Sequence, residues 1–349
     1  MTLPLSDHFN GKTFFYPGPG PRGAGRFRDF LRWRFSRRSA PWPRWVELAP
    51  QSPPPVPRGD EIVATWIGHA TWLLQTTRGN FLTDPHFSRS AGPFGLIGPR
   101  RAHAPGLGFE ALPRIDAVLL SHDHYDHCDL PSLRRLARVH DPLFVAPLRH
   151  GDILTRAGAR RVVELDWWQS RALSGEAQIA LTPARHWTNR LDAPRNHRLW
   201  GGFFLTFGAP EVGRDFSPPS EIWAASAGRA EAPPYSAPRR VWFLGDSGYD
   251  ADLFRTIRQR YGAPDLALLP IGAYEPRWFM ASMHMNPAEA VAAHRDVGAQ
   301  RSAAMHWGTF LLTDEARDEP VRALAAARSE AGVRTDEFRA LVPGESVIA

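Results

Sequence analysis

The sequence predicts an α/β fold, a four-layer αβ/βα sandwich with two sheets face to face, helices outside, and a metal site along one edge. Short apolar runs recur from Ile62 to Met305, at first separated by polar turns and later alternating with helical segments. Several of these runs end in a histidine or an aspartate, where a buried strand delivers a side chain to the rim of a sheet. At one such exit, Ser121-His122-Asp123-His124-Tyr125-Asp126-His127 crowds imidazoles and carboxylates together, a poor choice for a core and a good one for a divalent metal.

Residues 1–60 read as an extension ahead of a single domain at 61–349. Within the extension, Arg26 to Arg38 forms a short basic helix with Phe27, Phe30, Leu31 and Phe35 on one face. That face either packs on the domain or docks, with the arginines, on an anionic membrane. Ala49 to Gly59 is a Pro-rich connector. Ile62 to Ile67, Thr71 to Gln75 and Phe81 to Thr83 follow as strands, largely antiparallel because turns such as Arg78-Gly79-Asn80 are short. After the histidine cluster come a helix from Pro131 to Val139 with Asp129 as its cap, then strands at Phe144 to Pro147 and Val162 to Leu165. Gln178 to Thr182, Phe203 to Phe207, Val241 to Leu244 and Ser302 to Met305 are the later strands. Asn286, Pro287 and Glu289 make a capping box, and a final helix from Pro320 is stopped by Gly332.

The candidate ligands fall at these exits. His122 and His124, two residues apart on an extended tip, face the same way, and His186 follows the Gln178 run, so the three complete one metal shell. Asp126 and His127 lie at the turn and, with His306 after the Ser302 run, form a second. Asp246, at the exit of the Val241 run, is positioned to bridge them. Nitrogen and carboxylate donors without cysteine suit two divalent ions, zinc first, with iron or manganese also accepted. A ligand set spread from His122 to His306 requires one domain, although 349 residues would allow two.

The His-x-His-x-Asp-His pattern followed by His, Asp and His resembles the metallo-β-lactamase superfamily. Trp66-Ile67-Gly68-His69-Ala70-Thr71, Thr83-Asp84-Pro85, Leu165-Asp166-Trp167-Trp168, Gly245 to Tyr249, Pro270 to Met280 and His306 to Phe310 narrow the resemblance. They are similar to the N-acylphosphatidylethanolamine-hydrolysing phospholipases D and their bacterial relatives. The resemblance implies a zinc-dependent phosphodiesterase that releases an N-acylethanolamine and phosphatidic acid, with Asp126 and Asp246 as catalytic ligands. It also implies that His284 touches substrate or donates a proton; His69, from its place in the Gly-His-Ala-Thr turn, is read as a hydrogen-bond partner of the metal-site loops, with a satisfied loop histidine the alternative for each. Gly208 to Arg239 departs from the pattern as a Pro/Ser/Ala/Gly-rich insertion (208–239), a passive loop or a lid. A soluble hydrolase of a lactone or small phosphodiester is the alternative.

Composition bounds the rest. The lone Cys128 rules out an internal disulfide, and its position after His127 reads as a small buried residue. No signal peptide or apolar stretch of membrane-spanning length is evident, so the expected location is cytoplasmic, with peripheral contact at the inner membrane surface as an option. The net charge of +6, carried by 42 basic residues of which only Lys12 is a lysine, favours anionic partners such as phospholipid or a small phosphodiester. Nucleic acid is not expected, since the arginines are not concentrated near the site in sequence. The oligomeric state is left open.

Overall fold

A computed structural model describes residues 3–18, 27–49, 54–173, 177–208 and 237–349. The first sheet joins β1 (Val63–Gly68), β2 (Thr71–Thr76), β3 (Gly79–Thr83), β4 (Ala117–Leu119), β5 (Leu143–Pro147) and β6 (Arg161–Leu165), with the C-terminal β14 (Ser346–Ile348) beside β1. The second runs in the order β13 (Phe338–Arg339), β12 (Arg301–Met305), β11 (Leu266–Pro270), β10 (Arg239–Phe243), β9 (Gly202–Phe207), β8 (Ala177–Thr182) and β7 (Ser170–Ala172). Each sheet is half antiparallel and half parallel. Tight turns give the antiparallel pairs β1–β2 and β2–β3, whereas β3–β4, β4–β5 and β5–β6 are parallel because longer crossovers join them. The antiparallel expectation for the opening strands therefore holds only as far as β3.

Alternation along the strands builds the layers. On β2, Trp72 and Leu74 point into the space between the sheets, where they join Leu181, Phe203, Leu205, Val241 and Phe243. Leu73, between them, faces the other way and packs with Leu133 and Leu136 of α2 (Leu130–Val139) and Ile153 of α3 (Gly151–Arg156). The second sheet is covered by α4 (Ala251–Tyr261), α6 (Pro287–Val297) and α7 (Glu319–Ala331). This is the expected sandwich. The capping box is present at α6, with Asn286 accepting from Glu289 N and Glu289 reaching back to Asn286 N.

Two local expectations are corrected. Asp129 stands at the start of α2 but makes no side-chain cap, because its carboxylate takes Ser88 N, Ser88 Oγ and Ser132 Oγ instead. The N-terminal helix, α1 (Phe27–Ser36), does not turn Phe35 to the protein: that ring is 86 % exposed. Trp33 is the buried residue, stacked on Phe279 of α5 (Arg277–Met280) with ring centroids 5.3 Å apart, while Arg37 holds Asp314 at 3.0 Å. A large ring meeting a matching partner takes the buried place that Phe35 does not. Residues 209–236, most of the expected insertion, and 50–53 of the connector lie outside the described residues. Ahead of α1, Phe9 and Phe14 are buried in the main core.

Candidate metal centre

The strand directions explain why distant residues meet. β1 and β3 run the same way, and so does β4, so Gly68-His69, Asp84 and His122 all leave the first sheet at one edge. β8, β10 and β12 likewise point together, delivering His186, Asp246 and His306 to the facing edge of the second sheet. His69, Asp84 and His306 sit at φ 54, 33 and 63, a left-handed conformation uncommon for non-glycine residues. Three such residues in one place mark an edge held in a strained shape by its surroundings.

His122, His124 and His186 converge. His124 Nδ1 lies 3.0 Å from His122 Nε2 and 3.2 Å from His186 Nε2. The hydroxyl of Ser121 donates to Asp84 Oδ2 at 2.6 Å, so His122 Nδ1–H donates to Ser121 Oγ at 2.8 Å. His186 Nδ1–H donates to the Met283 carbonyl at 3.1 Å. Both rings therefore turn a bare Nε2 lone pair towards His124. Burial pushes all three imidazoles below their ordinary range, and neighbouring imidazoles push His122 further. Neutral nitrogens crowded lone pair to lone pair are a fit for a cation.

The second group is built differently. His127 Nε2 lies 3.2 Å from His306 Nε2, 3.2 Å from Asp246 Oδ2 and 3.4 Å from Asp126 Oδ2. His306 Nε2 is 3.2 Å from Asp246 Oδ2 and 3.3 Å from Asp126 Oδ2. A tetrahedral ion with ligand bonds of about 2.0–2.1 Å has edges of about 3.3–3.4 Å, and these five separations, 3.2 to 3.4 Å, lie close to that length. Burial alone would lower His127 and His306, but Asp246 and Asp126 outweigh it, holding His127 well above its usual value and His306 at about 9. Burial would likewise raise Asp126 and Asp246, and His127 and His306 reverse that, keeping both carboxylates well below theirs. Two carboxylates and two imidazoles thus converge their donor atoms on one point, a fit for a divalent cation. Asp246 Oδ2 is also 4.0 Å from His122 Nε2 and 3.8 Å from His186 Nε2, so it stands between the two groups.

Around these seven residues lies a supporting shell. His69 Nε2 is 2.9 Å from Asp126 Oδ2, as the sequence suggested. His284 Nδ1 faces Asp246 Oδ2 at 3.9 Å, is buried without a hydrogen-bond partner among the described residues, and is lowered by burial to about 4. Asp84 was given no role from sequence, yet its Oδ2 accepts from His127 Nδ1 at 2.6 Å and from Ser121 Oγ, while its Oδ1 accepts from Ser121 N at 2.7 Å. Its signal was available: Asp84 stands at a strand exit like the other acidic and histidine donors. Asp123 turns away from the centre to Arg198, 3.0 Å from its Oδ2, and Arg190 clamps the carbonyls of Asp123 and Cys128. The Cys128 thiol is buried and pushed up to about 12, which suits a packing residue. Tyr274 is core, bonded to Glu319, and Arg277 braces the His284 carbonyl, while Trp278 is 44 % exposed.

The family model for a β-lactamase superfamily domain matches residues 79–216 and 235–307. The chain is 38 % identical over 289 residues to an uncharacterised protein of Mycobacterium tuberculosis, covering 80 % of this chain and 68 % of that one. It is 34 % identical over 258 residues to an N-acyl-phosphatidylethanolamine-hydrolyzing phospholipase D of Caenorhabditis elegans, covering 71 % of this chain and 64 % of the nematode protein. Among solved structures, Igni18, a metallo hydrolase of Ignicoccus hospitalis, superposes with a TM-score of 0.55 at 20 % identity, over 83 % of this chain and 98 % of its own.

Proposed function

The chain belongs to the metallo-β-lactamase superfamily and is a metal-dependent hydrolase, and from that premise we propose a phosphodiesterase of phospholipase D type acting on N-acylphosphatidylethanolamine-like lipids. The 34 % identity to the nematode phospholipase carries this reading. Two divalent ions, zinc by donor type, would be held by His122, His124 and His186 and by Asp126, His127 and His306, with Asp246 shared. When bound, they supply Lewis acidity towards phosphate oxygens and an activated water.

The protein's own groups have separable tasks. Asp84 and Ser121 fix the tautomers of His127 and His122. His69 orients Asp126. His284, neutral and unpartnered at Nδ1, is placed to exchange a proton with the departing N-acylethanolamine oxygen. Water adds across the phosphodiester, leaving phosphatidic acid and an N-acylethanolamine. Peripheral contact with an anionic membrane, in the cytoplasm at the inner membrane surface, belongs to the same reading.

Hydrolysis of a panel by metal-replete protein tests it: N-acylphosphatidylethanolamine, bis-p-nitrophenyl phosphate and lactones. Preference for the lipid is expected. Turnover of a lactone or the small diester with none of the lipid would replace the lipid reading by the soluble-substrate one.

A further inference from the structure

We propose that the loop at 92–98 is a bilayer anchor that seats the metal edge on an anionic phospholipid surface; this rests on the phospholipid reading above. Gly92-Pro93-Phe94-Gly95-Leu96-Ile97-Gly98 carries three large apolar side chains outward, with Phe94 75 %, Leu96 76 % and Ile97 61 % exposed. Such a group on one short loop is what a soluble surface avoids unless something covers it.

The loop is held in this shape. Ser90 N donates to Gly95 O, Ala91 N to Pro99 O, Ile97 N to Pro93 O and Arg101 N to Arg89 O. Its base closes so tightly that a Cβ at Gly92 would lie 1.9 Å from the Ile97 carbonyl oxygen, and one at Gly95 would lie 2.2 Å from Ser88 Oγ. Phe94 adopts φ 60, a costly conformation for a ring-bearing residue. A rigid, strained scaffold that presents greasy side chains to the outside is built for contact.

Both stems are rooted at the metal centre. The entry stem leaves Asp84, the carboxylate behind His127, and is tied by Ser88 to Asp129. The return stem pairs Arg101 with Phe310 and Ala102 with Thr309, just past His306. Exposed Arg89 and Arg100 flank the tip, matching lipid phosphates beside an acyl-facing trio. The outward arginines Arg32 and Arg34 of α1, and Arg38 just beyond it, add charge beside the exposed Phe35.

The probe is a vesicle of equal parts phosphatidylglycerol and phosphatidylcholine, with sedimentation at low and high salt. The variant Phe94→Ser/Leu96→Ser/Ile97→Ser should lose at least ~30-fold in vesicle affinity, including the part that survives high salt. Its turnover of bis-p-nitrophenyl phosphate should stay within about twofold of wild type. Arg32→Gln/Arg34→Gln/Arg38→Gln should lower only the low-salt binding. Independently, Leu96→Cys labelled with an environment-sensitive fluorophore should shift to the blue on adding vesicles; Cys128 is buried and stays unlabelled. No vesicle binding by wild type, no shift, or full binding by the triple serine variant overturns the anchor. Loss of a dimer by that variant with vesicle binding intact would also overturn it, making the trio a subunit contact. Vesicle binding without hydrolysis of N-acylphosphatidylethanolamine would overturn the substrate reading and leave the anchor standing, whereas equal hydrolysis of vesicular lipid by both proteins would do the reverse.

Discussion

The two donor groups sit side by side yet hold their shapes by opposite means. His122, His124 and His186 are three neutral rings, of which His122 and His186 are aimed by hydrogen bonds to Ser121 and the Met283 carbonyl. Asp126, His127 and His306 are a mixed set, in which the carboxylates of Asp126 and Asp246 lie against the imidazoles of His127 and His306. Orientation organises the first group and charge the second. Asp246 touches both and Asp84 stands behind both, so the difference can be broken at a shared residue or sharpened at a private one.

The largest effect should come from Asp246→Asn. An amide brings no charge between the two groups, and hydrolysis of bis-p-nitrophenyl phosphate should fall at least ~100-fold, roughly 3 kcal/mol in the barrier, with circular dichroism unchanged. Retention of a tenth of the activity would remove Asp246 from the shared position. Next, His122→Ala and His127→Ala should each leave about one bound ion per chain on elemental analysis, emptying opposite groups. If either variant lost both ions, the two groups would be one cooperative site.

Asp84→Asn comes third. It should weaken metal affinity about 10–100-fold, mostly at the His127 side, as read by chelator competition. Ser121→Ala should cost less, within about tenfold and only at the His122 side, because it removes one link of a relay whose far end stays in place. Equal losses at both groups in that variant would erase the distinction.

The smallest effect is a control on fold. His150 is fully buried, with Nδ1–H donating to the Pro147 carbonyl, and burial lowers it to about 4. Between that value and the ordinary imidazole range of about 6.5, the unfolded chain binds a proton that the folded chain does not. Stability is therefore complete above that range and falls as pH drops through it. His150→Gln should flatten the acid limb of Tm against pH by a few degrees. An unchanged limb would assign the acid loss to other buried groups.

Much of the site was legible because its rule is local. A short apolar run followed within a few residues by His or Asp locates His122, His186, Asp246 and His306 without any contact being known. Asp84 obeys the same rule but escaped, since its partner His127 lies far along the chain and no spacing links them. The place of Phe35 on α1 was misjudged for a related reason. Phe27, Phe30 and Phe35 make the helical pattern, but Trp33 is selected by Phe279, which only the folded chain brings near. The half-parallel first sheet was hidden in the crossover after Thr83, where no regular pattern announces that β4 returns beside β3. The loop at 92–98 reads as an ordinary Gly-Pro turn until the exposure of its side chains is seen.

One feature of the edge reaches beyond chemistry. Within each donor group, some side chains leave the first sheet and others the second, so an ion bound there is a further clasp between halves already joined by apolar packing and by polar ties such as Arg198 to Asp123. A ligand at a hundred times its dissociation constant adds about 2.7 kcal/mol to the folded state. Metal supply would then set how long this chain survives as well as how fast it works. A cell short of the ion would hold a protein whose two halves part more readily along the edge that carries these ligands.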